Sequence, residues 1–298
     1  MIVFRKKDKI KKIDMLNFKL ERELQNFIEE NLKEIFQFEF LATEYPINNF
    51  RFDTLAYDRE NNTFTIIEYK RGKNESLVDQ GLAYLSTLLD RRSDIVLLFN
   101  KVFEANKQIE DFEWDLVRVY FVSTQFTEFQ RAATSFKDMP FLLFEVKRFE
   151  GDLYVISEVL TKSKNTTPKV GNGPVVPADI KVYTEDDHKQ NIPARVVELY
   201  DEVRDRLLEL DDVEIKPLKI YIAFKTLNKN FCDVKIQKDS LLVYLNLPHG
   251  RLDDPYNKTR DVSKIGHHGN GDYTFKLIKQ DDIDYLLTLA KQAHAFNS

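Results

Sequence analysis

The chain has 298 residues, of which 43% are hydrophobic and 31% are charged, enough for two domains of ordinary size. Glycine is scarce (9 residues) and phenylalanine is abundant (23 residues), which excludes collagen-like, low-complexity and disordered proteins. A single cysteine excludes a disulfide scaffold and a cysteine-rich zinc site, and the net charge of −5 excludes a generally basic nucleic-acid coat protein.

The N-terminus carries a basic run. Residues 5–12 include six basic residues and one acidic residue, Asp8. Such a run could contact phosphates, although a solvated, mobile tail is the more common explanation. No apolar run approaches the roughly 18–20 residues of a membrane helix, and an apolar signal core is absent. We therefore expect a cytoplasmic protein with no membrane partner.

Hydrophobic periodicity predicts the elements of the first half. A helix is expected over 18–36, strands over 38–45, 50–57 and 63–69, a helix over 75–89, strands over 94–99 and 116–122, a short helix over 128–135, and a hairpin of strands 141–147 and 153–159. The run IVLLF within 94–99 is continuous and apolar, which is typical of a strand covered on both faces. Asn61-Asn62 is a tight-turn signal, so 50–69 is predicted to be a β-hairpin. The pattern indicates an α/β fold with a mixed sheet flanked by helices.

The composition changes at residues 161–177 (TKSKNTTPKVGNGPVVP), which are polar and rich in proline, glycine, asparagine and threonine. This is typical of a linker, so we expect a first domain over 1–162, a linker over 163–180 and a smaller α+β domain over 181–298. The second domain is predicted to hold a helix over 194–210, strands over 219–225, 232–237, 241–246 and 273–277, and a closing helix from 281 to about 294.

Charged residues cluster on the predicted hairpin. Asp53 lies on its first strand, and Glu68 and Lys70 lie at the end of its second strand. Residues i and i+2 of a strand share a face, so Glu68 and Lys70 project together and Tyr69 points away. Antiparallel pairing places Asp53 roughly opposite them. One surface of the sheet then carries two carboxylates and an ammonium group.

Phosphodiester hydrolysis explains why a protein would need that set. Two carboxylates a few ångströms apart repel each other unless a divalent cation lies between them, and Mg²⁺ prefers oxygen ligands while keeping several waters. Such a metal polarises a phosphate and lowers the pKa of bound water, while a lysine orients that water or stabilises charge in the transition state. The main-chain carbonyl of Tyr69 is a candidate further ligand.

Asp53 followed by Glu68-Tyr69-Lys70, on a hairpin preceded by a helix, resembles the PD-(D/E)XK superfamily of restriction-endonuclease-like nucleases. The resemblance covers about residues 18–122. It implies that Asp53 and Glu68 are ligands of Mg²⁺ or Mn²⁺ and that Lys70 is the catalytic lysine. It also implies metal-dependent hydrolysis of nucleic acid, with DNA favoured over RNA, in defence or repair. The proline that usually precedes the first aspartate is replaced here by Phe52.

Two further motifs of this superfamily have counterparts. An E-x-x-L-Q glutamate from the first helix is matched by Glu21, with Gln25 at its end, and helical phase predicts Glu21 within the buried stripe of the helix. Glu23 is the second choice for that role. Gln80 and Tyr84 resemble the Q-x-x-x-Y signature of the recombination-type branch, which implies that they position the nucleic-acid strand near the metal.

Other basic and aromatic residues have two interpretations each. Arg71, Lys73 and Lys101 could line a phosphate track or lie in a solvated loop. Trp114 and Phe112 could stack on bases, although a place in the core or at an interface is the more common role.

The second domain contains a glycine-punctuated loop with several polar residues, namely Arg260, Asp261, His267, His268 and Asp272. The adjacent histidines do not have zinc-ligand spacing. The loop is interpreted either as a binding site or as a loop held by its own polar contacts. This half resembles an uncharacterised domain joined to nuclease-like modules in bacteria, and that resemblance implies no activity.

Two alternatives to the nuclease hypothesis remain. The first is a non-catalytic nucleic-acid-binding module on the same fold, whose affinity would be indifferent to Mg²⁺. The second is a ligand- or protein-binding regulator that acts through the second domain. Because cutting both strands of a duplex needs two sites, a homodimer is also left open.

Overall fold

The computed structural model describes residues 2–6, 9–70, 77–136, 138–159, 176–177, 179–226, 229–264 and 270–298. The chain divides into two compact units, Met1–Val182 and Tyr183–Ser298. Arg71, Lys73, His267, His268 and most of the predicted linker lie outside the described residues. Among the helices that the structure describes, none combines the length and the apolar character needed to cross a membrane.

The first unit combines a large sheet with helices on both faces. Its helices are α1 (Glu21–Glu30), α2 (Leu32–Phe36), α3 (Leu77–Asp90), α4 (Arg92–Phe103) and α5 (Glu128–Thr134). Its strands are β1 (Val3–Lys6), β2 (Ile10–Ile13), β3 (Met15–Leu16), β4 (Glu39–Ile47), β5 (Phe50–Asp58), β6 (Thr63–Lys70), β7 (Arg118–Ser123), β8 (Phe141–Phe149) and β9 (Leu153–Glu158). The seven-stranded sheet has the order β3-β8-β7-β6-β5-β4, and β9 pairs with β8.

The sheet is mixed, which confirms the predicted fold class. Strands β4, β5 and β6 form an antiparallel meander. Strands β6, β7 and β8 run parallel to one another, so their carboxyl ends lie at the same edge. The turn between β5 and β6 includes Asn61-Asn62, as the hairpin prediction requires.

Two hydrophobic cores cover the two faces of this sheet. On one face, Leu24 and Ile28 of α1 pack on Ile67 of β6. On the other face, Leu85 of α3 packs with Ile66 of β6. Full burial of such an aliphatic side chain contributes about 1.5–3 kcal/mol to folding. The alternation along β6 therefore directs odd-numbered residues toward α1 and even-numbered residues toward α3.

The predicted strand at 94–99 is wrong, because these residues belong to α4. Ile95, Val96 and Phe99 are buried, whereas Leu97 is 70% exposed. Burial at positions i, i+1 and i+4 is the helical period. A short continuous apolar run fits a buried strand or a helix equally well, and its length alone did not distinguish them.

The N-terminal basic run forms structure as well. Strands β1 and β2 make a separate two-stranded ribbon in which Val3 pairs with Ile13 and Lys6 pairs with Ile10. The interpretation as a mobile tail is therefore wrong for the described part of this run. Strand β3 follows the ribbon and joins the large sheet by pairing with β8.

The second unit is an antiparallel sheet packed on helices. Its helices are α6 (Glu185–Lys189), α7 (Ala194–Leu207) and α8 (Ile283–Asn297). Its strands are β10 (Val213–Pro217), β11 (Ile222–Thr226), β12 (Lys229–Ile236), β13 (Leu241–Leu245), β14 (Thr259–Asp261) and β15 (Tyr273–Leu277), in the order β10-β11-β12-β13-β15-β14. Helices α7 and α8 share one core with β11, β12, β13 and β15. Strands β10 and β14 were not predicted.

Candidate active site

Asp53 and Glu68 lie across from each other on β5 and β6. The pairing of Thr54 with Ile67 continues to Asp53 and Glu68 at the next position, so both side chains face α3. The carboxylate of Asp53 accepts a hydrogen bond from the main-chain N–H of Tyr69 at 3.1 Å. Glu68 is buried. The structure therefore brings the two predicted carboxylates to one place on the sheet.

The environment changes the acidity of Asp53. Burial, and next the negative charge of Glu68, raise the pKa of Asp53 from 3.8 to about 7. The Tyr69 N–H and the charge of Lys70 oppose that rise only in part. Below this pH the pair holds a proton, and at higher pH a cation would relieve the repulsion between the two carboxylates.

The two oxygens of Glu68 have different surroundings. Oε1 accepts hydrogen bonds from Nζ of Lys70 at 2.7 Å and from Nε2 of Gln80 at 2.5 Å. Oε2 is buried and has no hydrogen-bond donor among the described residues. An unpaired carboxylate oxygen is costly to bury, so a proton on Asp53 or a bound cation would supply the missing partner.

Helix α3 supplies the two residues of the Q-x-x-x-Y motif. Gln80 donates to the hydroxyl of Tyr84 at 2.7 Å, and that hydroxyl donates to the main-chain oxygen of Arg51 at 3.1 Å. The Tyr84 ring packs edge-on against Phe52 with centroids 5.1 Å apart. Burial, followed by the charge of Glu68, raises the pKa of Tyr84, so its hydroxyl stays protonated. Tyr84, which is bound to the main chain of β5, thus helps to hold Gln80 against Glu68.

The predicted inward placement of Glu21 is wrong. Glu21 is the first residue of α1 and is exposed, because the buried stripe of this helix begins only at Leu24. An acidic residue in the first turn is favoured there by the helix dipole, without burial. Glu23, the second choice, instead pairs with Arg148 of β8 at 2.8 Å. Within the described ranges, no three His, Cys, Asp or Glu side chains gather in a way that could hold a metal.

The residue that α1 sends toward the site is Gln25. It is buried, and its Nε2 donates to the main-chain oxygen of Asp53 at 2.9 Å and to Oγ1 of Thr43 at 3.1 Å. Glu29, one turn later, accepts from Thr54 at 2.5 Å. Gln25 and Glu29 are polar residues four apart on a helix, a spacing that places them side by side and that could have indicated this pair. Only Gln25 was named from the sequence.

Tyr69 points to the opposite face, as the alternation of the strand predicted. Its ring lies in the core under α1, and its hydroxyl is 3.1 Å from Oγ1 of Thr54. Burial raises the pKa of this hydroxyl. The side chain therefore links β6 to β5 on the face that packs against α1. The proposed role of the Tyr69 carbonyl as a metal ligand stays a prediction.

A polar strip that the sequence did not reveal continues along the edge of the sheet. Ser123 of β7 pairs with Lys70, and Glu145 of β8 pairs with Ser123. Glu145 forms ion pairs with Arg131 and Lys147. These residues meet because the carboxyl ends of parallel strands share an edge, which cannot be known before the strand order is known.

The other predicted candidates lie elsewhere. Phe112 is buried and Trp114 stacks on Phe64 with centroids 5.2 Å apart, so both belong to the core. Lys101 is an exposed residue of α4.

In the second unit, polar contacts hold the described part of the loop. Asp261 lies 3.1 Å from Nδ1 of His249, and Asp272 accepts the main-chain N–H of His249 at 2.6 Å. Arg260 lies in the short strand β14. These contacts agree with the interpretation of a loop held by its own polar groups.

Comparison with known proteins shows the family. Residues 185–297 match a domain of unknown function, DUF5655. An uncharacterized protein of Haemophilus influenzae is 39% identical over 295 residues, which is 97% of each chain. The chain therefore belongs to the same family as this Haemophilus protein.

Two solved structures are similar to parts of the chain. A repair endonuclease from Pyrococcus abyssi is 22% identical over 40% of this chain and 43% of its own, with a TM-score of 0.26. EndoMS in complex with double-stranded DNA is 15% identical over 45% of this chain and 59% of its own, with a TM-score of 0.24. The chain thus spans about half the length of these two proteins.

Proposed function

We propose that the first unit is a metal-dependent nuclease that hydrolyses phosphodiester bonds of nucleic acid, DNA in preference to RNA, in defence or repair. One observation carries the proposal. Glu68 keeps a buried oxygen that has no donor among the described residues, beside a second carboxylate whose pKa is raised to about 7 and within reach of the Lys70 side chain. Such an arrangement is costly for a structural role alone and suits a cation and a phosphate.

The donor set fits Mg²⁺ or Mn²⁺. Asp53 and Glu68 would hold the ion, with the carbonyl of Tyr69 as a further oxygen. Mg²⁺ is commonly bound by one or two carboxylates and completes its shell with water and substrate phosphate oxygens, so a third carboxylate is not required. When bound, the ion would polarise the phosphate and lower the pKa of a bound water.

The remaining residues have separate tasks in this proposal. Lys70 places its Nζ beside the carboxylates, where it would orient the attacking water or stabilise charge that develops on the phosphate. Gln80 donates to Oε1 of Glu68, and Oε2 has no donor within the described part of the chain. Tyr84 holds Gln80 in turn, and the two residues would help to position a nucleic-acid strand near the metal.

The test uses the purified full chain with single- and double-stranded DNA and RNA, in Mg²⁺, Mn²⁺ or EDTA. Cleavage is expected with metal only, and it should be lost in Glu68→Gln and in Lys70→Ala. Glu209→Gln and Lys279→Ala, which make the same chemical changes at exposed positions of the second unit, are the matched controls and should cleave normally. Cleavage that survives in both site variants, or a wild type that neither cleaves nor binds Mn²⁺, would overturn the proposal.

A non-catalytic nucleic-acid-binding module is the second candidate. It is favoured by the exposure of Glu21, since no third carboxylate joins Asp53 and Glu68 among the described residues. This alternative predicts nucleic-acid affinity that is unchanged by Mg²⁺ and by Glu68→Gln. A binding titration of both proteins, with and without Mg²⁺, separates the two candidates.

A further inference from the structure

The ribbon formed by β1 and β2 has an unusual surface for a small element. Ile2, Phe4 and Ile10 are 69%, 58% and 67% exposed. Lysines alternate with them, since Phe4 pairs with Lys12 and Ile10 pairs with Lys6. A two-stranded ribbon with little apolar burial is marginally stable in water alone, so this surface suits a partner.

The charge of the ribbon identifies the kind of partner. Residues 5–12 include six basic residues and one acidic residue, a net charge of +5, so the rest of the chain carries −10 to give the total of −5. Arg5 lies directly opposite Lys11 in the ribbon. Like charges in that position destabilise a strand pair unless an anion compensates them.

A basic cavity lies between the ribbon and the turn that joins β8 to β9. Its volume is about 700 Å³, and its lining includes Arg5, Lys9, Lys11 and Lys12 from the ribbon and Glu150 and Gly151 from the turn. Gly151 has a φ of +78°, and a Cβ at this position would lie 2.3 Å from Nη2 of Arg5. The Arg5 guanidinium therefore packs directly against the turn at Gly151, and this contact orients the basic face of the ribbon.

The ribbon lies at the same edge of the sheet as the candidate active site. Lys70 pairs with Ser123 and Ser123 pairs with Glu145, while β8 continues for four residues to Phe149, which pairs with Met15 just after the ribbon. Two strand spacings of about 4.8 Å across the sheet and four residues of about 3.3 Å along β8 are at right angles to each other, which places Phe149 about 16 Å from Lys70 in the plane of the sheet. That distance is close to five base-pair steps of about 3.4 Å along a duplex.

We propose that the β1–β2 ribbon and its basic cavity bind the phosphate backbone of duplex DNA several base pairs from the phosphate held at Asp53 and Glu68. The proposal rests on the proposed nuclease function and adds a substrate-binding arm to it. A two-stranded ribbon fits the major groove, where lysines reach phosphates and exposed apolar side chains reach base edges or sugars. The ribbon supplies the positive charge that the rest of this acidic chain lacks.

The test compares two triple variants of the full chain with equal charge change. Lys9→Ala, Lys11→Ala and Lys12→Ala are combined in the ribbon variant, and Lys238→Ala, Lys279→Ala and Lys291→Ala, all exposed in the second unit, are combined in the control. Binding of a 20-base-pair duplex is measured by fluorescence anisotropy in EDTA over a salt series. The ribbon variant should bind at least about tenfold more weakly than the wild type. Its plot of log K against log salt should be less steep by about 2–3, since each lost phosphate contact removes about 0.9 from the slope. The control should stay within about twofold of the wild type.

The outcomes separate this inference from the proposed function. One outcome is that the wild type cleaves with metal while the ribbon variant keeps the same DNA affinity, the same salt slope and the same cleavage rate. That result would overturn the inference and leave the proposed nuclease function intact. Ribbon-dependent DNA binding without cleavage in any metal would support the inference and remove the nuclease. Ribbon-dependent binding to phosphatidylserine–phosphatidylcholine vesicles, without binding to DNA, would overturn the inference in favour of a membrane surface. Equal thermal unfolding midpoints of both triple variants show that the fold is retained.

Discussion

Gln80 of α3 and Glu68 of β6 are joined by a hydrogen bond of 2.5 Å from Nε2 to Oε1. The bond connects the helix after the hairpin to the carboxylate at the end of the strand. Because Lys70 donates to the same oxygen, Oε1 of Glu68 has two donors, whereas Oε2 has none among the residues that the structure describes. Helix α3 therefore determines which oxygen of Glu68 remains for a cation.

The variant Gln80→Leu is expected to weaken metal binding. A hydrogen bond to a charged group contributes about 1.5–3 kcal/mol, so the affinity for Mn²⁺ should fall about tenfold or more. Isothermal titration calorimetry of the wild type, Gln80→Leu and Gln125→Leu, an exposed control, measures the effect. Equal affinities in the three proteins would show that Glu68 is oriented without Gln80.

The raised pKa of Asp53 predicts a pH-dependent stability of the metal-free protein. Between pH 3.8, the ordinary pKa, and about 7, the folded protein binds a proton at Asp53 that the unfolded chain has lost. Stability from this group is complete below pH 3.8 and decreases as the pH rises to about 7, by roughly 4 kcal/mol at most. Urea denaturation in EDTA at pH 4.5 to 7.5 should show this decrease in the wild type relative to Asp53→Asn. Parallel stability curves for the two proteins would contradict the assignment.

Much of the site could be predicted because its parts are local in sequence. The two-residue alternation placed Glu68 and Lys70 together, the turn at Asn61-Asn62 set Asp53 across from them, and the four-residue helical spacing joined Gln80 to Tyr84. Each of these relationships depends on a short stretch of chain. The structure shows all three arrangements.

The parts that could not be predicted depend on contacts between distant segments. Ser123 and Glu145 reach the edge beside Lys70 only because β6, β7 and β8 are parallel neighbours, and hydrophobic periodicity carries no information about strand order. Glu21 was misplaced because the start of α1 was set one turn too early, which moved a first-turn residue into the buried stripe. Helix ends are the least certain part of such predictions.

The helical assignment of α4 predicts unequal effects of two neighbouring truncations. Ile95 is fully buried, so Ile95→Ala should lower the free energy of unfolding by about 2–5 kcal/mol. Leu97 is 70% exposed, so Leu97→Ala should change it by less than about 0.5 kcal/mol. Urea denaturation of both variants measures the difference. A strand covered on both faces would lose comparable stability in each case, and that result would exclude the helix.

Asp254 predicts acid sensitivity of the second unit. Burial opposes ionisation, but hydrogen bonds from Thr259, Tyr285 and Lys258 outweigh it and lower the pKa of Asp254 from 3.8 to about 2. The stabilisation is therefore complete above pH 3.8 and is lost as the pH falls toward 2. Thermal unfolding of the wild type and Asp254→Asn should differ at pH 6, and the difference should shrink below pH 4 until the two proteins converge near pH 2. If the difference in unfolding temperature between the two proteins stayed constant over this range, the charge of the Asp254 carboxylate would not be the source of the stabilisation.

Gln25 and Glu21 provide the sharpest test of how α1 contributes to the site. The buried Gln25 amide donates to the Asp53 carbonyl and to Glu29, and Glu29 keeps a second donor in Thr54. Gln25→Leu therefore removes the Gln25 donor from the Asp53 carbonyl and should cost about 1–3 kcal/mol of unfolding free energy. It should also weaken Mn²⁺ binding, because the main chain of β5 loses its hydrogen bond from Gln25 at Asp53, one of the two proposed metal ligands. Glu21→Gln should change stability by less than about 0.5 kcal/mol and leave Mn²⁺ affinity unchanged, since this side chain is exposed. Urea denaturation and calorimetry on both variants decide the point, because a large loss of Mn²⁺ affinity in Glu21→Gln would return the glutamate to the metal site.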